Sequence, residues 1–266
     1  MLKKILLTIY LASSISYSQV ATPYTKQANI QFNLPHKDNQ DFKDAARGFI
    51  SSLPNKGIIK DSEGNIVWDL SKYDFVNNTK ALDGTVNPSL WRQAKLLTKT
   101  GLFKVADRIY QIRGADISNM TIIESKTGII IVDTLLSTET AAAAINLYFQ
   151  YRPIKPIVAI IYTHSHLDHF GSTRGLISED LSNKIRIIAP QSFANAAFSE
   201  NIMAANVMGR RASYMYGNLL TPGLKSQIGC GLALGSSSGK QSLVLPNELI
   251  SKTGQEKIID GLNSFF

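Results

Sequence analysis

Apolar and polar positions change rhythm three times along this chain. From residue 19 to about residue 80 the apolar stretches are short, as in GIIK and NIVWDL, and Pro23, Pro35, Pro54, Gly57 and Gly64 punctuate them. That pattern predicts an arm that packs over something else rather than a core of its own. NPSLWRQAKLLTK, residues 87 to 99, reads as a short helix entered through Asn87 and Pro88, because proline loses nothing at the first helical position. Near Leu102 the rhythm becomes that of strands. RIYQIRG, NMTIIES and GIIIVD follow closely, with a hairpin turn over Lys126 to Gly128. STETAAAAINLYFQYR then takes a helical period, with Ser137 or Thr138 as cap and Glu139 in the first turn. KPIVAIIY returns as a continuously apolar strand of the kind buried on both faces.

A strand, a helix and a second buried strand imply a crossover unit, so the fold class is α/β. Beyond residue 172, GSTRGLI is expected to start a helix, NKIRIIAP to add a strand, and PQSFANAAFSENIMAANVMGRRASYMYG to form a long helix or a helix pair. A glycine- and serine-rich loop follows, and ISKTGQEKIIDG opens a hairpin whose return strand is expected to be cut short at Phe266.

Composition narrows this picture. The chain has 266 residues, 44% of them apolar, enough for one substantial core. The 28 basic residues outnumber the 20 acidic ones, a net +8, but they are scattered and do not alternate with aromatics along a module. No nucleic-acid partner is expected; the field would only bias the surface toward anions. Residues 1–18, MLKKILLTIYLASSISYS, set Lys3 and Lys4 before an apolar run and end on small residues. This is the order of a secretory signal peptide, too short for a span of about 20 apolar residues, so export to the periplasm or medium without a membrane anchor is expected. Its removal would take away two basic charges and lower +8 to +6. Residues 19–100 then form the arm and lead-in helix, and residues 101–266 the compact domain. The lone Cys230 excludes an intrachain disulfide framework and a cysteine-rich metal site. A homodimer, with the arm wrapping a neighbour, is one expectation for a segment without its own core.

The chemistry gathers in YTHSHLDHFGS, residues 162 to 172, which holds three of the four histidines within six residues. In extended backbone His164 and His166 point the same way, Asp168 continues the alternation, and a turn can bring His169 round. The fourth, His36, sits in a polar stretch and reads as a surface residue. Imidazole and carboxylate suit zinc, iron or manganese. Dense local donors after a buried strand can seed two adjacent ions, His164 and His166 on one, Asp168 and His169 on the other, an arrangement that activates water. A structural metal and a plain polar loop are the competing readings. Asp133, in the VDT turn at a strand end, either orients those donors or serves only as a helix-entry aspartate.

THSHLDHFG after an apolar strand, preceded by NMTIIES and GIIIVDT, resembles the metallo-β-lactamase superfamily. NPSLWRQAKLLTKTGLFKVADRIYQIRGADISNMTIIE, THSHLDHFGS and NIMAANVMGRRASYMYGNLL are similar to its exported alkylsulfatases, the sodium dodecyl sulfate hydrolase group. The resemblance, from about Phe42 onward, implies an αββα sandwich that is incomplete at its C-terminus, 101–266 being part of the domain. It implies two zinc ions on His164, His166, Asp168 and His169, with Asp168 also counted as catalytic. It further implies hydrolysis of an alkyl sulfate such as dodecyl sulfate, with water attacking at sulfur or at the ester carbon. Phe170, Tyr214, Met215 and Tyr216 would line part of an alkyl channel or simply pack, and Arg210 and Arg211 would draw sulfate or solvate a helix face. The group's remaining glutamate and histidine ligands come from segments expected beyond Phe266, and Glu248, Glu256 and Asp260 stand in no ligand pattern. An inactive remnant or metal-binding fragment, or a superfamily hydrolase acting on thioesters or lactams, is the alternative.

Overall fold

Strand residues of alternating burial build the centre of the molecule. In the computed structural model, which describes residues 20–31, 38–82, 84–182 and 184–266, the signal-like stretch and His36 lie outside the described residues. The chain runs through α1 (Pro23–Gln31), α2 (Gln40–Ala46), β1 (Phe49–Ser51), the hairpin of β2 (Ile58–Lys60) and β3 (Ile66–Asp69), α3 (Asp74–Asn78) and α4 (Pro88–Leu97). The antiparallel run β4 (Gly101–Ala106), β5 (Ile109–Arg113), β6 (Met120–Glu124) and β7 (Ile129–Val132) follows. Helix α5 (Thr138–Tyr151) crosses over to β8 (Ile157–Ile161), parallel to β7 as a crossover requires. Then come α6 (Leu167–Phe170), β9 (Arg186–Pro190), α7 (Phe193–Phe198), α8 (Ala205–Tyr216), β10 (Glu248–Ile250), and the hairpin of β11 (Glu256–Ile259) and β12 (Leu262–Phe265).

Eight strands form one mixed sheet in the order β1-β4-β5-β6-β7-β8-β9-β10. Ile129 and Ile131 of β7 face the main core, where Ile122, Ile160 and Ile187 pack against Ala141, Ala144 and Tyr148 of α5. Ile130 between them points to the opposite face and meets Ala159, Ile188 and Ile259, the two-residue alternation of a strand. The arm contributes β1, which pairs with β4 at the sheet edge.

Three expectations meet a different outcome. GLFKVA is a full strand, β4, where the sequence reading began the compact part without naming one. GSTRGLI makes only a single 3-10 turn, Thr173–Gly175, because the buried Thr173 hydroxyl turns back to Phe170 O at 2.8 Å. A side chain at Gly175 would also meet the Thr138 carbonyl at 2.1 Å. The last hairpin is closed rather than cut in its return strand, since Leu262–Phe265 pairs with Glu256–Ile259. Asp260, at φ 44, clasps it to the sheet by accepting from Ser125 Oγ at 2.7 Å, Thr127 N at 2.6 Å and Gly128 N at 3.1 Å. These donors hold the Asp260 carboxyl well down, at about 2.

Candidate functional site

The site begins where β7 and β8 end side by side. Val132 and Ile161 are register partners, and Asp133 N donates to Ile161 O at 2.9 Å. Asp133 takes a left-handed φ of 57, and Leu135 after it lies at φ 80, a conformation that costs a non-glycine residue energy and clusters at functional sites. Its effect is to aim the Asp133 carboxylate across the strand ends. There Oδ1 accepts from Thr163 N and Oδ2 from Thr163 Oγ1, both at 2.8 Å, and Oδ2 stands 2.7 Å from His169 Nδ1. Tyr162, buried and stacked on Phe193 at 5.1 Å, donates to Val244 O at 3.1 Å and fixes the strand exit.

The turn brings the three histidine rings together: the His164 centroid lies 4.0 Å from that of His169 and 4.6 Å from that of His166. Hydrogen bonding settles the tautomer of His164. Thr163 Oγ1 donates its proton to Asp133, so at 2.9 Å it accepts from His164 Nδ1, which leaves His164 Nε2 with its lone pair. His169 lies between two carboxylates, with Nδ1 2.7 Å from Asp133 Oδ2 and Nε2 3.3 Å from Asp168 Oδ2. Burial pulls His169 downward, but the Asp133 and Asp168 carboxylates outweigh it and hold the ring at about 9. Burial also lowers His164, helped by the neighbouring rings, whereas Asp168, although burial raises it, is held low by His169. Behind the turn, Ser118 Oγ donates to Asp168 O, and Thr134 N donates to His169 O at 2.9 Å.

The structure thus gathers His164, His166, Asp168 and His169 in one turn and puts Asp133 on it as an orienting carboxylate. Among the described residues no group of three or more histidine, cysteine, aspartate or glutamate side chains is arranged to hold a metal ion as it stands. The reason lies in the partners: His169 Nε2 is spent on Asp168, and His166 Nε2 lies 3.1 Å from Glu200 Oε1. In chemical kind the donors fit a borderline divalent cation. They are imidazoles and a carboxylate, and two of the rings have the far nitrogen tied to an oxygen, as metal-ligating histidines do.

Sequence reasoning missed Ser118, Glu200 and Asp116. The last is a buried carboxylate that accepts from Ile117 N at 2.8 Å, Thr140 Oγ1 at 2.7 Å, Ser237 N at 3.0 Å and Ser237 Oγ at 2.6 Å. It ties the loop after β5 to the start of α5 and to the serine-rich loop. Only the GADIS stretch, an Asp two residues before a Ser in a strand-free gap, hinted at a local turn. Of the residues considered for a channel, Phe170 belongs to the core, Tyr214 and Met215 are exposed, and Tyr216 is half-buried. Arg210 and Arg211 are exposed on α8. A cavity of about 850 Å³ opens at the carboxyl ends of β8, β9 and β10, lined by Thr163, Pro190, Asn195, Ile250 and Phe266 among others. It borders the histidine turn through Thr163 and none of the three histidines lines it.

Residues 113–185 match the metallo-β-lactamase superfamily model, the span from β5 to the residue before β9. The histidine turn at a parallel strand end lies inside that match. Over most of its length the chain resembles the N-terminal part of the alkylsulfatases. It is 50% identical over 250 residues to a linear primary-alkylsulfatase of a Pseudomonas species, covering 92% of this chain and 37% of that protein. To an alkyl/aryl-sulfatase of Saccharomyces cerevisiae it is 44% identical over 258 residues, 96% of this chain and 40% of that one. The solved structure of the stereoselective inverting sec-alkylsulfatase Pisa1 from a Pseudomonas species superposes with a TM-score of 0.86 at 45% identity, over 92% of this chain and 39% of that chain. The chain therefore spans about two-fifths of the length of these relatives.

Proposed function

We propose that this chain carries the histidine half of a zinc-dependent hydrolase of alkyl sulfate esters, acting on a substrate such as dodecyl sulfate to release alcohol and sulfate. The observation that supports it most is the pair His164 and His169, with rings 4.0 Å apart and with one nitrogen of each tied, through Thr163 or directly, to Asp133. His164, His166, Asp168 and His169 would hold zinc, up to two ions with further donors. The metal would supply Lewis-acid polarisation of the ester and acidify a water. The chain's own residues do the orienting. Asp133 keeps His169 and, through Thr163, His164 turned to the site, and Asp168 faces the same space as a carboxylate at neutral pH. The identity to named alkylsulfatases supports the sulfate ester as substrate class, and residues 1–18 support export to the periplasm or medium.

A second reading, a metal-binding fragment without turnover, is favoured by one observation: the chain spans about two-fifths of the length of the alkylsulfatases it matches. Zinc stoichiometry on the untagged chain, followed by sulfate release from dodecyl sulfate, separates the two. Zinc bound with sulfate released supports the hydrolase, and zinc without release supports the fragment. Neither zinc nor release removes both readings. His164→Ala is expected to abolish zinc-dependent sulfate release, and full activity in that variant would refute the assignment of the site.

A further inference from the structure

His166 stands apart from the other two histidines. Its side chain is 58% exposed, against 23% for His169, and Asp133, which serves the others, does not reach it. Its ring is met instead from outside the turn, by Glu200 Oε1 at 3.1 Å from Nε2. Glu200 belongs to a π-helical turn, Ser199–Met203, between α7 and α8, the kind of local widening that recurs at functional sites. Two more bonds hold that turn to the histidine turn. Ser165 Oγ donates to Glu200 Oε2 at 3.4 Å, and Asn201 Nδ2 donates to Ser165 O at 3.2 Å while also reaching Ala197 O at 2.9 Å. Glu200 is therefore placed by the Ser165 hydroxyl and by the amide bonds of its neighbour Asn201, its side chain 24% exposed.

We propose that Glu200 is a positioning residue that holds His166 as its Nε2–H tautomer and so leaves Nδ1 as the donor nitrogen facing the site. A carboxylate oxygen can only accept, so the neutral ring that faces it must carry its proton on Nε2. With His164 fixed the other way round by its Nδ1–H bond to Thr163, these two rings present Nε2 and Nδ1 in chain order. That alternation answers a geometric need. His164 and His166 project from the same side of an extended segment, and donors at different depths of the two rings can approach one point without the rings colliding. The tautomer stands on the contacts alone; its service to an ion rests on the zinc reading above.

The test uses the whole chain, labelled with nitrogen-15, as parent, Glu200→Ala and Glu200→Gln. Long-range proton–nitrogen spectra of the metal-free proteins, recorded at about pH 9 where an ordinary imidazole is neutral, report the protonated nitrogen of His166. A single Nε2–H form is expected in the parent and in Glu200→Gln, which keeps an acceptor oxygen, and a tautomer mixture in Glu200→Ala. Zinc affinity, measured by chelator competition, is expected to fall about 10- to 100-fold in Glu200→Ala and far less in Glu200→Gln. Thermal unfolding confirms that both variants fold. An unchanged His166 signature in Glu200→Ala overturns the proposal. So does a changed signature with undiminished zinc affinity, since the contact would then hold the ring without serving the ion. A parent chain that binds no zinc but shows the expected tautomer change would remove the zinc reading and the service to an ion, and leave the hold of Glu200 on His166 standing.

Discussion

Two walls meet over the histidine turn, and they are built differently. One is the end of β7 and β8, where Asp133, Thr163 and His169 sit on top of a core that buries Tyr162, Phe170 and Phe193 almost completely. The other is the π-helical turn and α8, which buries no residue at all and leaves Met203 86% and Tyr214 88% exposed. On the first wall a donor is aimed by several bonds rooted in the sheet. On the second, His166 is aimed through the single side chain of Glu200. The contrast teaches that preorganisation of a site is inherited from packing: the closer a ligand lies to the sheet, the more of its orientation is settled before any ligand arrives.

The largest effect should come from cutting the sheet-rooted wall. Asp133→Ala removes the acceptor of Thr163 N, Thr163 Oγ1 and His169 Nδ1 together. We expect a loss of roughly 3 kcal/mol in urea unfolding from donors left unpaired, with zinc affinity lowered more than in Glu200→Ala. Equal losses of affinity in the two variants would erase the distinction between the walls. Asp116→Asn comes next, at about 1 to 3 kcal/mol, because an amide presents one donor edge to a ring of donors. It should loosen the start of α5 and the Ser237 loop, read by faster amide exchange there.

A smaller effect lies in acid, away from the turn. Glu248 is held at about 2, below its ordinary 4.5, first by Arg186, which contacts it at 2.8 Å, and further by Lys257 at 2.7 Å. A depressed carboxylate stabilises the fold above its unfolded pKa, and that contribution is lost as pH falls from about 4.5 toward 2. Glu248→Gln should therefore flatten the parent's fall in stability across that window and lower stability at neutral pH. An acid limb of unchanged slope would refute the assignment. Smallest of all is Tyr214→Ala on the open wall, expected to change stability by less than about 0.5 kcal/mol. A large loss would show that α8 is covered in solution.

Much of this was legible because it depends on local period. The runs in NMTIIES, GIIIVD and KPIVAIIY alternate or saturate in ways only strands satisfy, and they became β6, β7 and β8. Asn87 caps α4 with its side chain accepting from Ser89 N at 2.9 Å, a contact between residues two apart. The return strand LNSF was expected to be cut short because its two middle residues, Asn263 and Ser264, are polar, so pairing with β11 rather than hydropathy made it a strand. GSTRGLI failed as a helix for the opposite reason, since long-range contacts with Thr138 override its local preference.

The sequence by itself determined the donor types, their spacing in HSHLDH and the strand that carries them, because covalent order and side-chain period suffice for these. Only the tertiary structure decided which nitrogen of His164 is free, that Asp133 reaches across 30 residues to Thr163, and that Glu200 comes to His166 from a separate turn. Those are matters of distance between segments far apart in the chain, and no local pattern encodes them.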